Sequence, residues 1–217
     1  MTKHNTKTPF ADSDSNTSTS DVLSSKNTNS NNTCSLKNHF LIAMPSLTDP
    51  YFKQSVVYLC EHDEHGAMGF IVNYPVKLTV QELLENAESI NHEPTPPIEK
   101  SVFLGGPLDM DRGFVLHSPM GDSSHSTLLN EQLMMSNSNA VLSSLGTAEE
   151  PENYMVTLGY SSWDPGQLED EINQNQWLTI DCETDTIFKT PVDKRWSASL
   201  HRLGVDPLQL SNEIGHA

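Results

Sequence analysis

From Phe40 onward the chain advances through short apolar runs rich in β-branched and aromatic residues, separated by turn-forming residues. Phe40-Leu-Ile-Ala-Met44, Ser55-Val-Val-Tyr-Leu-Cys60 and Met68-Gly-Phe-Ile-Val-Asn73 come first. Each is too short for a buried helix, so each reads as a strand. Val102-Phe-Leu104, Gly113-Phe-Val-Leu-His117, Tyr154-Met-Val-Thr-Leu158, Trp177-Leu-Thr-Ile180 and Thr186-Ile-Phe188 are later candidates. Several are nearly continuous in apolar character, which predicts burial on both faces. The second and third runs flank the polar stretch Glu61-His-Asp-Glu-His-Gly66, a loop that makes them a hairpin.

Helix starts share one grammar. At Leu78-Thr-Val-Gln-Glu82, Thr79 caps, Glu82 closes a capping box, and Leu78 and Leu83 form the staple. At Trp163-Asp-Pro-Gly-Gln167, Asp164 is the expected cap, Pro165 takes the first turn and Gln167 the box position, with Trp163 and Leu168 as the staple. At Thr190-Pro-Val-Asp193, Thr190 caps and Pro191 opens the turn; Val192, Trp196, Leu200 and Leu203 share a face and Gly204 terminates. A shorter helix is expected from Asn139 to Leu145. Many strands with few, dispersed helices define an α+β domain, since the alternation is too irregular for a doubly wound sheet.

The 217 residues suit one domain with an appendage. Apolar content is 35% and aromatic content 7%, and the deficit lies in residues 1–35, where Ser, Thr and Asn dominate. Such a segment cannot bury enough apolar surface to offset its chain entropy, so a disordered arm is expected over 1–35 and a folded domain over 36–217. Lys3, Lys7 and Lys26 balance Asp12, Asp14 and Asp21 within the arm, so the net charge of -17 falls entirely on the domain. Charge of that sign repels phosphate backbones and favours basic or neutral partners. Cys34, Cys60 and Cys182 are odd in number, widely spaced and without a CxxC, which suits a reducing compartment. With no apolar leader and no run of membrane-spanning length, a cytoplasmic location is expected.

Four groups of residues invite chemistry. Glu61-His62-Asp63-Glu64-His65 offers imidazoles and carboxylates for a divalent metal, with His117 the nearest third ligand by type; the plain alternative is a solvated loop. Cys60 beside His62 suggests a nucleophile–base pair, which requires the strand to continue past Cys60; a cysteine in an apolar run is more often an inert hydrophobe. Gly105-Gly-Pro107 follows a strand but lacks the lysine of a P-loop and the third glycine of a dinucleotide fingerprint, so a tight turn at positive φ is expected. Trp163, Trp177 and Trp196 read as core, and Arg195, one of few cations in the domain, as half of a structural ion pair. No set of catalytic, cofactor-binding or metal-ligating residues is assembled from these.

Taken in order, these segments resemble the bacterial AlgH (YqgE-like) family. The resemblance is carried by Asn38-His-Phe-Leu-Ile-Ala-Met-Pro-Ser-Leu47, Asp49-Pro-Tyr-Phe52, Val56-Val-Tyr-Leu-Cys-Glu-His62, Gly66-Ala-Met-Gly-Phe-Ile-Val-Asn73, Leu104-Gly-Gly-Pro107 and Arg112-Gly-Phe-Val-Leu-His117. It continues through Leu158-Gly-Tyr-Ser-Ser-Trp163, Gly166-Gln-Leu-Glu169, Glu171-Ile172, Asn175-Gln-Trp177, Arg195-Trp196 and Leu203-Gly-Val-Asp206. The resemblance implies a bifurcated mixed sheet curled into a pseudo-barrel with flanking helices, in a cytoplasmic bacterial protein. It supplies no established activity, cofactor or catalytic residue, and its regulator label comes from an influence on alginate gene transcription rather than from contact with DNA. Family members begin near Ser35, so the arm is either a lineage-specific tail or the product of a start codon set too far upstream. Ser162 stands where glycine is common, which implies a tightened turn.

Three functions follow as expectations. The leading one is a non-enzymatic regulatory or adaptor protein acting through an unknown protein partner. The second is direct DNA binding, opposed by charge and by the lack of a basic recognition helix. The third is a metal-dependent or small-molecule-binding enzyme built on His62, His65 and His117.

Overall fold

The computed structural model describes residues 35–87, 97–121 and 123–206. Apart from Ser35, the arm expected over 1–35 lies outside the described residues, as does Cys34. The strands are β1 (His39–Ala43), β2 (Val56–Asp63), β3 (Gly66–Ile71), β4 (Pro75–Thr79), β5 (Ser101–Leu104), β6 (Leu108–His117), β7 (Thr127–Asn130), β8 (Leu133–Ser136), β9 (Tyr154–Trp163) and β10 (Trp177–Asp181). The helices are α1 (Val80–Asn86), α2 (Asn139–Ser144), α3 (Gln167–Asn173), α4 (Thr184–Phe188) and α5 (Arg195–Arg202), with a 3-10 turn at Val192–Lys194.

The strands form one curled, half-barrel sheet in the order β10-β1-β2-β3-β9-β6-β8-β7. It forks at β9. The C-terminal half of β9 pairs with β3, from Gly69 opposite Ser161 to Ala67 opposite Trp163. Its other half pairs in parallel with β5 at Phe103–Thr157 and Leu104–Leu158, and β5 carries β4. Strand β6 lies antiparallel to β9 from Tyr160 to Tyr154. The α+β class and the bifurcated sheet are as expected.

Backbone contact at the fork explains the glycine pair. A Cβ on Gly105 would stand 2.2 Å from the Gly159 carbonyl oxygen, and one on Gly106 would stand 2.2 Å from the Tyr160 backbone. Neither glycine has positive φ, so the expected left-handed turn is corrected to a close approach of two backbone segments. Gly159 is the residue that turns left-handed, at φ 71. Ser162 likewise sits inside β9 opposite Met68, in no turn.

Continuous apolar runs do bury both faces. Phe40 and Ile42 join one core cluster while Leu41 and Ala43 join another on the opposite side of β1. A third cluster lies under α1 and α2, where Val80, Leu84, Val141 and Leu145 meet Val115 and Val156. Strand periodicity makes this split inevitable: successive side chains point to opposite faces, so an unbroken apolar strand needs a layer on each.

Helix starts match in part. The Thr79–Glu82 capping box forms in both directions, at 2.8 and 3.2 Å. Helix α5 ends in the expected way: Gly204 turns to φ 73, its N–H reaches the His201 carbonyl and that of Val205 reaches Leu200. At α3 only half a box exists. Gln167 Oε1 accepts from Asp164 N–H at 3.0 Å, but Gly166 takes φ 81, which delays the helix to Gln167. Thr190 does not cap; its hydroxyl donates to the Asp185 carbonyl, and the helix waits until Arg195. Thr186-Ile-Phe188, expected as a strand, is the end of α4. A three-residue apolar run is too short to distinguish a period of two from 3.6.

Candidate functional site

The hairpin residues do not form a metal cluster. Strand β2 runs on to Asp63, so only Glu64 and His65 make the turn, and Glu61, His62 and Asp63 are paired strand residues. The register slips between Leu59 and Glu61, making Cys60 a bulge residue. His62 is consequently turned inward. Its Nδ1 accepts the Leu36 N–H at 2.8 Å, so Nε2 carries the proton and donates to Glu169 Oε1 at 2.9 Å. Both ring nitrogens are committed. The imidazole ties the segment before β1 to β2 and α3.

His65 lies at the hairpin tip with 84% of its side chain exposed. His117 ends β6, fully buried, with Nδ1 donating to the Ser118 carbonyl at 2.8 Å and Nε2 against Ser126 Oγ at 2.9 Å. Burial lowers its pKa and keeps it neutral. The three histidines are thus on separate duties, and among the described residues no three His, Cys, Asp or Glu side chains group to hold a metal ion.

Cys60 is no better placed for nucleophilic work. Its thiol donates to the Met68 carbonyl at 3.3 Å, and burial pushes it up to about 12, far from the thiolate that chemistry requires. Burial raises Cys182 to about 12 as well. Trp163 and Trp177 are core residues, as expected, but are joined in a way the sequence does not announce. Both indole N–H groups donate to Glu171 Oε2, at 2.9 and 2.7 Å, and Gln167 donates to the other oxygen at 2.8 Å.

Arg195 carries the largest departure from expectation. It forms no ion pair among the described residues. Its Nε donates to the Thr190 carbonyl at 3.1 Å, another nitrogen donates to the Val72 carbonyl, and the guanidinium lies 5.5 Å from the Phe103 ring. It is 5% exposed, and burial pulls its pKa down to about 10. It lines a cavity of about 360 Å³ between the β5–β9 fork and the α4–α5 segment. Lys100 lines the same cavity, its ammonium 3.6 Å above the Tyr154 ring.

A second feature lies where β6 meets β9. Between Leu108 opposite Tyr160 and Gly113 opposite Leu158, β6 spends five steps where β9 spends two. The excess chain arches across Gly159, where a Cβ would stand 3.3 Å from the Met110 Cα, with Asp109 held at φ 45. Leu108 and Met110 are 42% and 49% exposed on this arch, interleaved with Asp109 and Asp111. Exposed left-handed aspartate is tolerated because its short side chain can bond locally.

A forked ten-stranded half-barrel with these helices defines an α+β protein of one recognisable topology. The chain belongs to the AlgH-like family, DUF179, whose model matches residues 40–208. A UPF0301 protein of Pseudoalteromonas translucida is 51% identical over 183 residues, covering 84% of this chain and 99% of the relative. One from Photobacterium profundum is 46% identical over 185 residues with the same coverage. The solution structure of the AlgH protein from Pseudomonas aeruginosa is similar at 41% identity and a TM-score of 0.70, over 85% of this chain and 97% of that one. Protein DIP2367 from Corynebacterium diphtheriae shares the fold at 21% identity and a TM-score of 0.62, over 76% of this chain and 85% of that one.

Proposed function

We propose that this chain is a non-enzymatic regulatory or adaptor protein that acts in the cytoplasm by contacting another protein. The observation that carries the reading is the β6 arch. Two large apolar side chains, Leu108 and Met110, are exposed to solvent there, with Asp109 and Asp111 alternating with them, where β6 departs from regular pairing with β9. Exposed apolar groups in an acidic rim suit a partner with an apolar pocket and basic surroundings.

Direct DNA binding has less support. Helix α5 and the segment before it hold most of the helical cations; Arg195 is buried, and the exposed ones are paired. Lys189 pairs with Asp185 at 2.9 Å, Lys194 with Asp193 at 3.3 Å, and Arg202 with Glu183 at 2.7 Å. Phosphate binding would have to break such pairs against a net charge of -17. Cys60 and Cys182 are not joined by a disulfide, and no helix among the described residues is long and apolar enough to cross a membrane.

Affinity capture at physiological salt, with wild type and Met110→Asp side by side, tests the proposal. A stoichiometric partner should be retained by wild type and lost by at least about tenfold in the variant, as expected for an apolar anchor replaced by charge. Equal recovery of every captured protein by both chains would exclude the arch as the contact.

A further inference from the structure

We infer that the cavity between the β5–β9 fork and α4–α5 is a binding site for a small organic carboxylate, whose head meets Arg195 and Lys100 and whose apolar body lies against Phe103, Val156, Ile187 and Phe188. This goes beyond contact through the β6 arch and does not depend on it.

Charge placement is the first argument. In a chain with 12 Lys and Arg against 29 Asp and Glu, two cations face one cavity. Arg195 satisfies two nitrogens on carbonyl oxygens, which are neutral, so its positive charge is left uncompensated in a place from which water is nearly excluded. An uncompensated buried charge is costly, and an anion that reaches it recovers much of that cost. Burial lowers the pKa of Arg195 with no counter-charge acting against it, in keeping with that geometry.

The lining then selects the anion. Glu152 lines the cavity too, and Glu150 acts electrostatically on Lys100. Two cations against the one carboxylate that lines the cavity leave a single surplus positive charge, so a singly charged head is favoured over the dianion of a phosphate monoester. Arg195 has part of its donor fork already in use, which suits the two oxygens of a carboxylate better than the three of a phosphate. Apart from Ser101 and Asn153 the remaining walls are apolar or aromatic, and about 360 Å³ is at the small end of the volumes that hold small molecules.

Thermal-shift and calorimetric titration of the full chain with hexanoate, hexanol and hexyl phosphate tests the assignment. Hexanoate should bind saturably in the millimolar range or tighter, with hexanol and hexyl phosphate at least about tenfold weaker. Lys100 has no part in the carbonyl network of Arg195, so Lys100→Gln should leave folding intact while weakening hexanoate about three- to tenfold. Glu152→Gln should tighten hexanoate, and neither substitution should alter hexanol. Hexanol binding as well as hexanoate, hexyl phosphate binding better, hexanoate unmoved by both substitutions, or no saturable hexanoate binding would each overturn the inference.

Discussion

One oxygen of Glu171 accepts both Trp163 and Trp177, whose rings stand 6.1 Å apart at 81°, with Phe52 against both. The carboxylate is what lets two indoles share a core without leaving an N–H unmade. Glu171→Ala should therefore destabilise the protein by about 2–4 kcal/mol, since two largely buried donors lose a charge-assisted partner. Urea unfolding followed by tryptophan emission reads this directly; a midpoint within error of wild type would contradict it. The family resemblance includes Glu171, as it does Glu169, but nothing in the sequence gives it this role. His62 and His117 were visible as residues of interest, but their roles were not: His62 is held by Leu36 and Glu169 from distant segments, and His117 by the turn that brings Ser126 back to the end of β6.

His117 also gives the protein a pH dependence whose sign is determined. Its folded pKa lies below the ordinary value of 6.5, so the unfolded chain binds a proton that the native fold refuses. Its contribution to stability is full above about 6.5 and is lost as pH falls towards and through the lowered folded value. A His117→Gln variant should start less stable at neutral pH and show a shallower loss on acidification. Melting curves across that window, with both proteins losing stability in parallel, would refute the assignment.

Among elements, the fork at β9 depends on chains passing closer than any side chain permits. Gly106→Ala would drive a Cβ into the Tyr160 backbone, and backbone cannot swing aside as a side-chain tip can. Such overpacking costs typically about 1–3 kcal/mol and here should fall at the upper end. Denaturant unfolding measures it; a neutral substitution would show that the fork has slack. The strands with unbroken apolar runs were legible because burial on both faces leaves no other arrangement. Strands β4, β7 and β8 were not. Strand β4 opens on Pro75 and is mostly half-exposed, β7 exposes Leu128, and β8 is Leu-Met-Met-Ser, which carries no β-branched residue. Pairing with a neighbour, rather than their own propensity, makes them strands.

For the molecule as a whole, the sequence carried the family and the branched α+β sheet through an ordered series of short motifs. It did not carry either surface feature of interest. The cavity depends on Arg195 from α5 meeting Phe103 from β5 and Tyr154 from β9, segments brought together only by the fold. The arch depends on a register mismatch between β6 and β9 that no local pattern encodes. What sequence did supply is the charge, which lies wholly outside residues 1–35 and opposes phosphate-rich partners. The most direct test of a protein-contact role places a photo-crosslinking residue at Met110 in living cells, with a second at exposed Glu61 on the far side of the fork's β3 branch as control. One discrete adduct formed from position 110 and absent from position 61 is the predicted result. Identical adduct patterns from both positions, or none from position 110 under any growth condition, would contradict it.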